Sequence, residues 1–159
     1  MTAVQGFADR LGRFFERNGL PRMAGRVLGH LLASDPPEQT FEQVVEAVGA
    51  SRSAVSVATR LLVSLDLVER FGVPGQRRDR YRIRDDAWTS MLKQDLSAAA
   101  QLRVLAEDGL RLVAAKPAAA QERLREMREF FIFLEQAYAP VLAEWEQRRA
   151  ARAPGGGQS

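Results

Sequence analysis

The stretch Thr40-Phe41-Glu42-Gln43-Val44-Val45-Glu46-Ala47-Val48-Gly49-Ala50-Ser51-Arg52-Ser53-Ala54-Val55-Ser56-Val57-Ala58-Thr59-Arg60-Leu61-Leu62-Val63-Ser64-Leu65 decides the fold. Thr40 and Gln43 have the spacing of a capping box, in which hydroxyl and amide satisfy free N–H groups at a helix start. Phe41, Val44, Val45 and Val48 form one apolar face at helical spacing. Gly49 can take the left-handed conformation that ends a helix sharply. Ser51 then caps a second helix running to about Leu65, with Val55, Ala58, Leu61, Leu62 and Leu65 inward. Two short helices joined by a tight glycine turn are a helix-turn-helix.

Directly afterwards the period changes from helical to alternating. Val68, Arg70, Tyr81 and Ile83 read as two strands around the turn-rich tip Gly72-Val73-Pro74-Gly75-Gln76. A two-stranded hairpin in this place is a wing. It carries Arg70, Arg77, Arg78, Arg80, Arg82 and Arg84 against Glu69 and Asp79. So short a hairpin cannot bury that many guanidinium groups, so they are solvated or paired with anions. Arginine suits phosphate through its planar fork and suits the minor groove through its weak hydration.

Upstream, Val4, Phe7, Leu11, Phe14 and Phe15 form a helical stripe that ends at Asn18-Gly19, and Met23 to Ala33 form a second helix before Ser34-Asp35-Pro36-Pro37. Downstream, a long helix is expected from Asp85-Asp86 to Lys116. Another follows Pro117 with a heptad seam of Leu124, Met127, Phe131, Leu134, Tyr138, Val141 and Trp145. Pro140 predicts a kink or break in it. Phe130, Phe131, Phe133, Tyr138 and Trp145 could also frame an aromatic cage for a cation, but most fit the seam, and core or dimer packing is the simpler reading.

The expected architecture is mainly α: a winged helix-turn-helix with a two-stranded β wing and long terminal dimerisation helices. Its parts are an N-terminal dimerisation helix (1–20), the DNA-binding domain (21–85), C-terminal dimerisation helices (86–152) and a disordered tail (153–159). The dimer face is assigned to Val4, Phe7, Leu11 and Phe14 with Leu124, Met127, Phe131, Leu134, Tyr138, Val141 and Trp145, because one small lobe cannot cover both stripes.

On the second helix of the motif, which Ser51 caps and opens as a DNA-contact candidate, Arg52, Ser53, Ser56 and Arg60 lie away from the apolar face, with Thr59 on its edge. Small hydroxyl residues let a helix enter the major groove closely, and Arg52 can donate to a guanine edge. Arg60 is placed for phosphate. Arg77, Arg78 and Arg80 form the wing contact. Any helix can carry serines on its solvent face, so the constellation carries the assignment rather than any one residue.

Composition narrows the alternatives. Across 159 residues the net charge is +3, with 46% hydrophobic and 27% charged residues, so the distribution of charge is more informative than its total. Nearly all the cationic charge is arginine; Lys93 and Lys116 are the lysines. With no cysteine, disulfides and thiolate metal sites are excluded. One histidine, His30, sits in an apolar run, where a helix residue near the core is the plain reading. No catalytic constellation, metal site or phosphate loop stands out, so neither enzyme activity nor a cofactor is expected. No membrane span or signal core is legible, and a cytoplasmic location is expected.

Gly25-Arg26-Val27-Leu28-Gly29, Ser51-Arg52-Ser53-Ala54-Val55-Ser56, Leu67-Val68-Glu69-Arg70 and Gly75-Gln76-Arg77-Arg78-Asp79-Arg80-Tyr81 resemble the GbsR-type branch of the MarR superfamily of bacterial repressors. The resemblance covers roughly residues 1 to 95. It implies a homodimer of two winged lobes on a pseudopalindromic double-stranded operator, with Ser51 to Arg60 as reading helix and Arg77, Arg78 and Arg80 as wing tip. Ala54 stands where glycine is commoner in that branch. The function expected is a transcription regulator, a repressor responsive to a small-molecule effector whose identity the sequence does not give. The rival is a winged-helix module that binds protein without DNA, which would have little use for so cationic a wing.

Overall fold

The structure, a computed structural model, describes residues 2–152. The element order is α1 (Ala3–Arg17), α2 (Arg22–Ala33), β1 (Gln39–Thr40), α3 (Phe41–Val48), α4 (Arg52–Ser64), β2 (Val68–Phe71), β3 (Arg80–Ile83), α5 (Ala87–Leu112) and α6 (Ala118–Arg152). The chain falls into two compact units, one up to Trp88 and the other from Thr89 onward. The expected tail at 153–159 lies outside the described residues.

In the first unit the motif helices form as their sequence dictates. At α3 the box closes reciprocally: Thr40 N–H donates to Gln43 Oε1 at 2.7 Å and Gln43 N–H donates to Thr40 Oγ1 at 3.3 Å. Gly49 ends the helix at φ 60° and ψ 45°, its N–H reaching Val45 and Glu46 carbonyls. A Cβ built there would meet nothing within 4 Å, so only the backbone demands glycine. Gly49→Ala is therefore expected to cost about 1 kcal/mol, the left-handed penalty alone. The check is a urea melt, with a lower midpoint at unchanged slope.

Val44, Val48, Val55, Ala58, Leu62, Leu67, Val68 and Tyr81 share one core with Phe15, Ala24, Val27, Leu28, Leu31 and Ala87. Leu62 is fully buried, and burial of a side chain that size contributes about 1.5–3 kcal/mol. Helices α1 and α2 meet backbone to backbone. A Cβ on Gly25 would lie 2.6 Å from the Leu11 carbonyl oxygen and 2.7 Å from Gly12 Cα. Arg26 ties this pair to the motif: its guanidinium meets Asp9 at 2.8 Å and donates to Val48 O, at the negative end of α3, at 2.7 Å. His30 is half-buried, with Nε2 3.3 Å from Gln39 Oε1, and burial pulls its pKa below the ordinary value.

The wing has a strand the periodicity did not reveal. A two-stranded hairpin was expected; the sheet has three strands in the order β1-β3-β2, all antiparallel. β1 is two residues long, pairing Gln39 with Tyr81 and Thr40 with Arg80, too short to leave an alternating pattern.

The second unit is α5 with α6. α5 runs from Ala87 to Leu112 rather than from Asp85 to Lys116. Of the expected kink or break at Pro140 there is no break: α6 continues through it. Proline withholds one hydrogen bond from the carbonyl four residues back, and Gln136 is exposed, so water can satisfy that oxygen. Much of the α6 seam faces α5 within the chain. Leu124 closes on Gly109, where an added Cβ would come within 3.0 Å of Leu124 Cδ2. Arg103 bridges Glu135 at 2.8 Å, and Trp145 Nε1 donates to Thr89 Oγ1 at 2.9 Å. Leu134 and Tyr138 line a cleft with Leu92, Asp95, Leu96 and Ala99. The seam thus has an intrachain role that the heptad pattern did not separate from dimerisation, since both need the same spacing. Phe130 and Phe133, outside the seam, are 53% and 63% exposed.

Candidate nucleic-acid interface

Helix α4 presents its N-terminal half to solvent. Ser51 caps it by accepting the Ala54 N–H at 3.3 Å, which fixes where the first turn begins. Val55, Ala58, Thr59 and Leu62 are buried. Ser51, Arg52, Ser53 and Arg60 are exposed and Ser56 is half-buried. Thr59 must be moved: at 2% exposure it belongs to the inner face, not its edge. Its hydroxyl donates to the Val55 and Ser56 carbonyls at 3.0 and 3.1 Å, which leaves no donor for a base. Spacing explains this, since Thr59 follows the buried Val55 by four residues.

Arg52 opens the helix between two α3 side chains. Its guanidinium lies 5.0 Å from the centre of the Phe41 ring and 3.4 Å from Glu42 Oε1. The Glu42 carboxyl sits below its ordinary pKa because its own backbone N–H hydrogen-bonds it and because Arg52 and, at longer range, Arg78 favour its charge. Reading helix and wing therefore share one electrostatic neighbourhood. Arg60 curls back along its helix, with Nε donating to Ser56 O at 3.3 Å.

The wing arginines divide into two groups. Arg70 donates to Asp79 through Nε at 2.7 Å. Arg82 pairs with Glu69 directly across the sheet, with Glu38 at 3.1 Å, and covers the Phe71 ring at 4.6 Å. Arg84 meets Asp86 at 2.9 Å and Asp66 at 3.5 Å. These three are neutralised inside the lobe, partly by Glu38, Asp66 and Asp86 from outside the hairpin. Among the described residues Arg77, Arg78 and Arg80 form no ion pair. Arg77 and Arg78 are exposed, and Arg80 donates only to the neutral Gln76 amide, at 3.1 and 3.3 Å. The structure thus places Ser51, Arg52, Ser53 and Arg60 on the exposed side of α4 and Arg77 and Arg78 on the exposed wing, with Ser56 and Arg80 half-buried.

Three participants escaped the sequence reading. Phe41 and Glu42 have only a helical role in the sequence pattern, whereas in the structure both hold the Arg52 guanidinium. Val57 is 53% exposed on the outward face of α4. Its position two residues after the buried Val55 was the available signal. Among the described residues no cluster of His, Asp or Glu could hold a metal ion, and no helix is long and apolar enough to cross a membrane.

Comparison with known proteins follows the same division of the chain. A model described as the MarR family matches residues 18–79, and one described as an MmpR5-like MarR family transcriptional regulator matches residues 86–148. The HTH-type transcriptional regulator MmpR5 of Mycobacterium tuberculosis is 35% identical over 145 residues, covering 91% of this chain and 88% of that one. The chain belongs to the MarR family of transcriptional regulators. A solved structure described as that of a transcriptional regulator is 34% identical to this MarR-family chain and superposes with a TM-score of 0.83, covering 92% of this chain and 99% of the other. The HTH-type transcriptional repressor OpcR of Bacillus subtilis is 28% identical over 90 residues, 57% of this chain and 48% of that protein. In the MarR frame, the first match spans the helix-turn-helix and most of the wing, and the second spans all of α5 and most of α6.

Proposed function

We propose that this MarR-family regulator binds double-stranded DNA sequence-specifically as a homodimer on a pseudopalindromic operator, and represses by occluding it. The observation that carries the reading is the sorting of the wing: three arginines are consumed by carboxylates while Arg77, Arg78 and Arg80 stay available. A wing that served only its own fold, or docked a neutral protein surface, would have no use for that residue charge. The small hydroxyls of α4, framed by Arg52 and Arg60, supply a face able to approach base edges.

In this reading residues 21–85 form the DNA-binding domain, and residues 1–20 with 86–152 form the dimer. Val4, Phe7 and Phe14 on α1, with Phe130, Phe133, Tyr138 and Val141 on α6, are among its open apolar positions. Such exposed groups mark an interface. The GbsR-type kinship suggested by the four quoted segments, the cytoplasmic location and the response to a small effector belong to the same proposal. No part of it requires catalysis.

The test is a titration of two labelled duplexes, one enriched from a random library and one unrelated, between 50 and 200 mM salt. The enriched duplex is expected to bind more tightly by a factor of about 10³ or more. Affinity for both should fall steeply with salt as counterions return to uncovered phosphates. Light scattering at micromolar concentration should give twice the chain mass. Equal weak affinity for both duplexes would overturn the DNA reading, and a monomer mass would overturn the assembly.

A further inference from the structure

Resting on that reading of α4, we infer that Val57 reads a thymine methyl group in each half-site, a specificity contact that hydrogen-bonding residues cannot supply. Val57 follows buried Val55 by two residues, about 200° round the helix, which puts it at the centre of the outward face. Its helical neighbours there are Ser53 and Arg60, with Ser56 beside it. Serine side chains are short, so Val57 is the bulkiest group on this part of the face, between Arg52 at the helix start and Arg60 a turn beyond.

The chemistry then points to one feature of DNA. On the floor of the major groove the apolar group among the base edges is the C5 methyl of thymine. An isopropyl group desolvated against a polar edge would leave that edge without its water, which costs free energy. Against a methyl, both apolar surfaces leave water together. A β-branched residue is also a poor choice for an exposed helix position on propensity alone, and here it is 53% exposed and not among the described residues packed on the core. The adjacent serines leave room for the approach, and the arginines at either side fix its register.

Replacing thymine by uracil removes that methyl and nothing else, so the contact can be cut from the DNA side. The enriched duplex is synthesised with each thymine in turn replaced by deoxyuridine, and affinities are measured for wild type and Val57→Ala at one salt concentration. Wild type is expected to lose about fourfold at each position of one symmetric pair, the value of about one buried methyl, and about 16-fold when both are replaced together. Val57→Ala, which loses the contact in both half-sites, is expected to bind the unmodified duplex about as weakly as wild type binds a duplex carrying deoxyuridine at both positions of the pair, and to be indifferent to the substitution there. Alanine raises helix propensity, so loss of folding would not confuse the result. If wild type and Val57→Ala respond alike to deoxyuridine at every position, the thymine contact is overturned. If wild type does not prefer the enriched duplex at all, the failure lies in the DNA reading beneath it.

Discussion

Replacing Arg77, Arg78 and Arg80 together by alanine is expected to weaken binding to enriched and unrelated duplexes alike and to flatten the salt dependence of both. Each guanidinium resting on a phosphate releases counterions worth about 0.9 units of log–log slope, so three contacts remove about 2.7 units per wing. The uniformity follows from the target, since phosphates are the same in every sequence. These three positions are suited to the experiment because none is paired with a carboxylate among the described residues, and only Arg80 donates to another side chain, that of Gln76. Their loss leaves no buried charge behind, and the thermal midpoint should stay within the range of surface substitutions. Arg82→Ala is the contrasting case. It strips the partner from Glu69 and Glu38 and uncovers the Phe71 ring, so it changes the wing itself. Unchanged affinity and slope in the triple variant, on both duplexes, would remove the wing from the DNA interface.

That contrast shows where the sequence was legible and where it was not. The capping box at Thr40, the glycine at position 49 and the serine cap at position 51 are local devices, each closed by residues within three or four positions, and the structure forms all three. The density of arginine in the wing was equally visible. Which arginines are already neutralised was not, because Glu38, Asp66 and Asp86 reach the hairpin from segments outside it. β1 was missed for a related reason: a two-residue strand exists only through its partner β3. Thr59 was misplaced by reading a helix edge too widely, and Val57 stood in neither the inward nor the outward set, although it follows the buried Val55 by two residues. In α6 the heptad spacing was real, but spacing alone does not distinguish a face packed on α5 from a face open to a second copy.

Arg52→Ala is expected to cost about 1–3 kcal/mol in each half-site of the enriched duplex, roughly 5- to 150-fold per half-site, and little on unrelated DNA. The structure gives this residue a defined starting position. Its guanidinium is held by Glu42 at 3.4 Å and by the Phe41 ring at 5.0 Å, at the first position after the Ser51 cap. The hold is weak enough to exchange. The side chain is 65% exposed, and an exposed ion pair contributes at most about 1 kcal/mol. Two parallel charge-assisted hydrogen bonds to the guanine O6 and N7 acceptors are stronger than that single contact. The rival role for Arg52 is a phosphate contact, which charge alone would satisfy. Arg52→Lys separates the two, because lysine keeps the charge and loses the planar fork. On unrelated DNA the lysine variant should match wild type. On the enriched duplex it should remain nearly as impaired as alanine. Full recovery by lysine, or equal losses for alanine on both duplexes, would make Arg52 a phosphate contact and leave base readout to the serines and to Val57.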